Sequence, residues 1–237
     1  MISGRIKRRD QRSARLPIIG KVKIGKKTEQ GYPTSLNHFI AIGKYDKYFS
    51  DAYGFEPNKL EVVFFTNNIS EACNERWECR DPQGKLAGYG DGETFDIYNA
   101  VADKYEKTQD KEIIKKAGKW EAILTITFLL LKIRGVFGCW QLSTKGERSS
   151  IPSIRDTFDM VMSKAGTVIG IPFDLCIEKV KSQKPGSKNL YPVITLVPNV
   201  SSQHLEMLAS YVGSDLNNVG ILTEEKIEQI KQKSLKQ

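Results

Sequence analysis

The chain lacks any apolar run long enough to cross a membrane. Its longest apolar segment is 120–131, whereas a membrane-spanning helix needs about 20 consecutive apolar residues. No apolar stretch of signal-peptide type stands near the first residue either. We therefore expect the protein to act in the cytoplasm of the cell that makes it, with no membrane partner.

Cysteine is scarce and is not arranged for metal binding. The four cysteines are Cys73, Cys79, Cys139 and Cys176, and no two of them form a C-x-x-C pair. Structural zinc sites need four ligands, usually in closely spaced pairs. In a reducing compartment these residues are expected to be free thiols. The sequence predicts no metal site.

Residues that carry catalysis are also few. His38 and His204 are the only histidines, and neither stands in a local motif that pairs a base with a nucleophile. No nucleophile elbow of the G-x-S-x-G type occurs. We expect a protein without enzymatic activity, with no catalytic residues and no cofactor.

Two glycine-containing stretches imitate known sites. Residues 20–26 have the spacing of a phosphate-binding loop, but Lys27 stands where a Ser or Thr must hold magnesium, and the stretch alternates like a strand. Asp91 and Glu93 lie in a glycine-rich segment and offer two oxygen ligands for a cation. Two carboxylates do not complete such a site, so a turn with glycines at positive φ is the preferred interpretation.

Positive charge is concentrated at the start of the chain. The net charge is +8, and more than half of it comes from residues 1–16, where six basic side chains stand against Asp10 alone. The basic residues are Arg5, Lys7, Arg8, Arg9, Arg12 and Arg15. A flexible arm that contacts nucleic acid or an acidic partner and a merely solubilising tail are both compatible with this pattern.

Periodicity organises the rest around the apolar segment 120–131. That segment is rich in β-branched and aromatic residues, which favours a central strand. Alternating segments on either side predict further strands, and an apolar stripe at Ile154, Phe158, Val161 and Ala165 predicts a helix that packs on the sheet and ends at Gly166. The predicted fold is α+β: a β-rich antiparallel sheet or open barrel with one central helix packed on it.

The domain boundaries follow from composition. Residues 1–16 form a basic flexible arm, 17–212 a single β-rich domain, and 213–237 a polar C-terminal tail or helix. Within the domain, residues 94–118 are polar and are interpreted as an insertion that is mobile or forms a solvated helix. The aromatic-rich stretch 45–55 predicts a short helix whose rings pack on the sheet, in preference to a platform for nucleic-acid bases.

Short blocks along the chain resemble a known family. The clearest is a Trp-Gln-Leu-Ser-Thr run at 140–144, which follows the apolar strand and leads into the helix. The other blocks lie at 16–25, 32–39, 59–65, 90–92, 150–155 and 170–175. Together they resemble phage recombination directionality factors of the actinophage type. Members of that family often carry a cysteine cluster before the apolar strand, but residues 94–138 contain no cysteine.

The resemblance implies a phage- or prophage-encoded protein that binds a large serine integrase and switches it from integration to excision. Exposed basic segments are the expected integrase contacts, namely Lys145, Arg148, Lys181, Lys184 and Lys188. The basic arm would contact DNA or an acidic surface of a partner. The alternative function is a phage accessory protein that binds single-stranded DNA in replication or recombination, which short strands and a basic balance also fit.

Overall fold

The computed structural model describes residues 16–31, 33–182, 186 and 189–205. Their eleven strands are β1 (Ile18–Lys27), β2 (Pro33–Ile42), β3 (Lys59–Val63), β4 (Cys73–Arg80), β5 (Leu86–Gly90), β6 (Phe95–Asn99), β7 (Lys104–Thr108), β8 (Trp120–Leu130), β9 (Cys139–Thr144), β10 (Pro172–Lys181) and β11 (Leu190–Pro198). The four named helices are α1 (Asp46–Tyr53), α2 (Ile69–Ala72), α3 (Lys111–Ala117) and α4 (Ser150–Ala165).

The predicted central strand is β8, and the sheet forks on it. Along one edge β8 pairs with β9, and β1 and β2 follow outward. Along the other edge its first seven residues pair with β4, which continues through β5 and β6 to β7. Its last two residues pair with β3, which leads to β10 and β11. Strand β8 therefore joins three groups of strands: β9 with β1 and β2, β4 with β5 to β7, and β3 with β10 and β11.

The prediction of a β-rich α+β fold is confirmed, but the sheet is mixed. Strand β1 runs parallel to β9, with Val22 opposite Leu142, while the other strand pairs are antiparallel. The sheet curves without closing: the backbone at 57–58 accepts hydrogen bonds from the N–H groups of Phe39 on β2 (2.7 Å) and Ile177 on β10 (2.9 Å). Hydrophobic periodicity predicts where strands lie but not which strands pair, so the parallel pairing of β1 with β9 was not predicted.

The predicted helix is α4, and it begins four residues before Ile154. Its five buried apolar residues face the core, and Phe158 packs edge-on against Phe64 with ring centroids 5.0 Å apart. The buried Ser150 Oγ accepts a hydrogen bond from the Ile194 N–H (2.9 Å), which ties the start of α4 to β11. Gly166 ends the helix in the left-handed conformation (φ 68°), as its position predicted.

The helices differ from the single central helix that was expected. Residues 94–118, interpreted as a mobile insertion or a solvated helix, form the β6–β7 hairpin followed by α3. Helix α3 packs over β8 through the indole N–H of Trp120, which donates to the Ile114 carbonyl (2.8 Å). In the aromatic stretch, Phe49 is buried against Trp140 as predicted, but Phe55 is exposed.

One glycine explains why β1 imitated a phosphate-binding loop. Gly20 is the third residue of β1 and lies against the ring of Trp140, and a Cβ there would come within 2.3 Å of that ring. The residue is therefore required for close packing of a strand against an aromatic core. No loop forms at this position.

Candidate functional site

The sheet has one covered face and one open face. Helices α1, α3 and α4 all pack on the face that carries Trp120, Leu124 and Trp140. Of the four named helices, only the single turn of α2 borders the opposite face. We call it the open face. It is formed by the alternate side chains of β1, β9, β8 and β4 that point away from the core, since successive residues of a strand point to opposite sides.

A groove of about 570 Å³ runs across the open face. Its floor is made by Ile123 and Thr127, which are buried, and by a hydrogen bond between the hydroxyls of Thr125 and Ser143 (2.9 Å). Four cationic and two acidic side chains line it, namely Lys21, Arg76, Arg80, Lys145, Glu71 and Glu78. The lining is therefore polar and carries an excess of positive charge.

Strand β4 carries three charged residues that line the groove. Arg76, Glu78 and Arg80 occupy alternate positions and so lie on one side of the strand. Glu78 is only 5% exposed, and its carboxylate accepts hydrogen bonds from the Arg76 Nη2 (2.8 Å) and the Arg80 Nη2 (2.5 Å). A buried carboxylate needs such partners because an unpaired charge in the interior is costly. The network fixes both guanidinium groups beside the groove.

A second cluster of charged residues is centred on Glu121 of β8, opposite the charged residues of β4. Glu121 of β8 stands directly opposite Glu78 of β4, and like charges in that position repel. Lys145 and Lys119 both donate to the Glu121 carboxylate, at 2.5 and 3.0 Å. These hydrogen bonds, that of Lys145 first, lower the pKa of Glu121. The charge of each carboxylate is therefore balanced by its own pair of cations: two arginines for Glu78 and two lysines for Glu121.

The first described residues also belong to the groove. Leu16 and Ile18 line it, next to Lys21. Lys21 is exposed and, unlike the other three cations of the lining, forms no ion pair among the described residues. In the sequence, the basic segment 1–15 immediately precedes Leu16, a residue that lines this groove with excess positive charge.

Comparison with known proteins identifies the family. A model of the Gp3-like family, described as recombination directionality factor-like, matches residues 19–199. That range contains every strand except the first residue of β1. The chain belongs to the recombination directionality factor-like family. No curated protein and no solved structure matches it.

The match extends over all three groups of strands in this recombination directionality factor-like protein. Nearly all residues that line the groove fall within 19–199, since only Leu16 and Ile18 precede that range. The resemblance seen in the short blocks of sequence is therefore confirmed as family membership. None of the described helices combines the length and the hydrophobicity that a bilayer span requires.

The structure places the predicted integrase contacts in two regions. Lys145 lines the groove with 59% of its side chain exposed, and Arg148 is exposed in the turn between β9 and α4. Lys181 is exposed at the end of β10 and does not line the groove. The remaining predicted residues lie outside the described ones: Lys184, Lys188, Arg5, Lys7, Arg8, Arg9, Arg12 and Arg15.

Sequence reasoning did not single out Lys21, Arg76 and Arg80. The signal for the two arginines was present, because charged residues at three successive alternate positions of one strand must share a face. The neighbours of that face could not be read in the same way. They depend on the pairing of β4 with β8 and of β1 with β9, which are strands far apart in the sequence.

The remaining candidate site, the segment with Asp91 and Glu93, has a structural explanation. Asp91 accepts hydrogen bonds from the backbone N–H groups of Thr94 (2.8 Å) and Glu93 (2.9 Å), which lower its pKa, and Gly92 follows it at φ 106°. The segment is a turn, as preferred from the sequence. Within the described ranges, no three residues of the His, Cys, Asp and Glu types are grouped to hold a metal ion.

Proposed function

We propose that this protein binds a large serine integrase and switches it from integration to excision, without catalysing a reaction itself. The observation that carries the proposal is the family match, because it spans residues 19–199 and therefore the whole folded sheet. A factor of this kind needs a surface for its partner. The open face provides a polar groove with excess positive charge, positioned by strands that the covered face holds rigid.

The switch is explained by differential binding. A ligand shifts an equilibrium between two arrangements of its partner only to the extent that it binds one of them more tightly. Moving an integrase from 1:99 to 99:1 in favour of the excisive arrangement needs about 5.5 kcal/mol of difference. A handful of charged and hydrogen-bonded contacts on a preformed surface is sufficient for that difference.

The contact is proposed to include Lys145 and Arg148. Both are exposed, and they lie three residues apart where β9 leaves the groove and turns toward α4. Their charges can be removed with little effect on the fold, because exposed ion pairs contribute at most about 1 kcal/mol and Lys119 still pairs with Glu121. They therefore allow the interface to be tested separately from stability.

The test is a recombination assay with a large serine integrase from the same genome. Wild type is expected to promote recombination between attL and attR and to inhibit recombination between attP and attB. The Lys145→Gln/Arg148→Gln variant should lose at least about tenfold in excision, which corresponds to about 1.4 kcal/mol of binding. The matched control is Lys115→Gln/Lys116→Gln on α3, two exposed lysines on the opposite side of the sheet.

Two outcomes would contradict the proposal. If the wild-type protein leaves the direction of recombination unchanged and does not co-purify with the integrase, the proposed activity is wrong. If excision is promoted and both double variants behave alike, the activity stands but Lys145 and Arg148 are not part of the contact.

A further inference from the structure

Beyond the groove, the open face continues into a row of tyrosines. Tyr89 of β5 stands opposite Glu78 of β4, and its ring packs against that of Tyr105 of β7 at 5.4 Å between centroids. Tyr105 is the cross-strand partner of Tyr98 of β6, with their rings 5.5 Å apart. Since paired residues share a face of a sheet, all three rings lie on the side of the groove.

The hydroxyl groups of the two outer tyrosines are already bound. The Tyr105 hydroxyl donates to the Leu86 carbonyl (2.8 Å), and the Tyr98 hydroxyl donates to the Asp103 carboxylate. The rings themselves remain accessible, with 39% of Tyr105 and 41% of Tyr98 exposed. What these residues offer to a partner is therefore aromatic surface held in a fixed orientation.

The tyrosine row and the groove form one continuous surface. The Arg76 guanidinium lies over the ring of Tyr89, 5.1 Å from its centroid, so the β4 network connects directly with the aromatic row. From β1 to β7 this face crosses seven adjacent strands. At about 4.8 Å between neighbouring strands its width is about 29 Å. Cations lie at the β1 side and in the middle, and aromatic rings at the β7 side.

We propose that the open face binds single-stranded DNA. In this assignment the phosphates contact Lys21, Arg76 and Arg80, and unpaired bases stack on Tyr105 and Tyr98. Cationic grooves beside aromatic rings are the recurrent means by which proteins bind single strands, because every base has a face that can stack.

The composition of the face favours this ligand over an acidic protein segment. Carboxylates of a peptide would be matched by the cations alone and would leave the aromatic row without a role. Bases of a duplex are stacked on each other and are not available to flat rings on a sheet, whereas those of a single strand are. This inference does not depend on integrase binding, and its test contains no integrase.

The test uses the full-length protein and a labelled oligothymidylate, with binding measured by fluorescence anisotropy at several salt concentrations. Two variants remove one element each: Lys21→Gln removes a cation that forms no ion pair within the described part of the chain, and Tyr98→Ser removes a stacking ring. Matched controls are Lys164→Gln on α4 and Tyr48→Ser on α1, exposed residues of helices that pack on the covered face. Thermal unfolding midpoints establish that all four variants are folded.

We expect Lys21→Gln to reduce the slope of log K against log salt concentration by about 0.7, the value for one phosphate contact in a single strand. Tyr98→Ser should weaken binding at least about fivefold, since stacking contributes about 1 kcal/mol or more per base. Both controls should bind like the wild type. A mixed-sequence duplex should bind more weakly than the oligothymidylate and should not respond to Tyr98→Ser.

The proposal is overturned if Lys21→Gln and Tyr98→Ser bind the oligonucleotide like the wild type. It is also overturned if duplex and single strand bind equally and only Lys21→Gln has an effect, because the face then recognises phosphate without stacking.

Discussion

The two faces of the same sheet differ in almost every property. On the covered face, β8 contributes Leu124, Ile126 and Phe128, all fully buried beneath helices. On the open face, the alternate residues of the same strand are Ile123, Thr125 and Thr127, which form the floor of a polar groove. One strand therefore provides both the core of the fold and the base of the candidate site. Stability and recognition are separated by the direction in which each side chain points.

The energetic basis of the two faces differs as well. The covered face depends on burial of apolar surface, which contributes about 25 cal/mol per Å², and on close packing such as that of Trp140 over Gly20. The open face depends on compensated charge, since Glu78 is held by two arginines and Glu121 by two lysines. Substitutions on the first face should unfold the protein, and most substitutions on the second should change only binding.

The largest effect is expected from the covered face. Phe158→Ala removes a fully buried ring that packs against Phe64 at 5.0 Å. We expect a loss of about 3–5 kcal/mol in the free energy of unfolding, because the cavity left behind cannot fully collapse. Urea denaturation measures it. On the same helix Met160→Ala, at a position 41% exposed, should change stability by less than about 0.5 kcal/mol.

An intermediate effect is expected where the open face is buried. Changing Arg76 and Arg80 together to Met leaves the Glu78 carboxylate without a cation at 5% exposure. The expected loss of stability is about 3 kcal/mol, as for other broken buried ion pairs. Adding Glu78→Gln removes the unpaired charge and should restore at least half of the loss. A triple variant as unstable as the double variant would mean that the arginines act through packing.

The smallest effect concerns pH and the thiol of Cys73 on the covered face. Burial raises the pKa of Cys73 to about 12 from an ordinary value of 9.0. Above pH 9 the unfolded state therefore binds fewer protons than the folded state, so the stability contributed by this thiol is lost as the pH rises toward 12. Between pH 8 and pH 10 the loss should be about 1 kcal/mol.

Cys73→Ala tests this directly by comparison of urea denaturation at the two pH values. The variant should lose less stability on alkalinisation than the wild type does. Tyr53, whose pKa is likewise raised to about 12, chiefly by burial, contributes equally to both proteins and cancels. Parallel pH profiles for the two proteins would show that the Cys73 thiol does not titrate differently in the folded and unfolded states.

The covered face was largely predictable from the sequence. The stripe at Ile154, Phe158, Val161 and Ala165 predicted both the helix and the side that it buries, and Gly166 predicted its end. These predictions succeed because burial imposes a period on the sequence wherever a helix or strand meets the core. The β6–β7 hairpin was missed for the converse reason: β7, Lys-Tyr-Glu-Lys-Thr, has no buried residue, and its charges suggested a solvated helix.

The candidate site was much less predictable. Lys145 was identified as an exposed basic residue, but nothing near it in the sequence indicates that it faces Arg76 and Arg80 across a groove. That arrangement arises when β9 and β4 pair with opposite edges of β8. The parallel pairing of β1 with β9, which brings Lys21 to the same face, carries no local signal at all. The site depends on which distant strands pair and in which register, and the local sequence pattern does not specify this pairing.

That parallel pairing also sets an order of events during synthesis. Ile18 of β1 pairs with Cys139 of β9, about 120 residues later in the chain. At ribosomal rates of about 5–20 residues per second, β1 waits on the order of ten seconds for its partner. During that interval the edge of β1 that later pairs with β9 offers unpaired backbone groups, on which another nascent chain can nucleate aggregation. Contacts of such high contact order also form slowly after release. Production at lower temperature or with more chaperone should therefore raise the yield of folded protein.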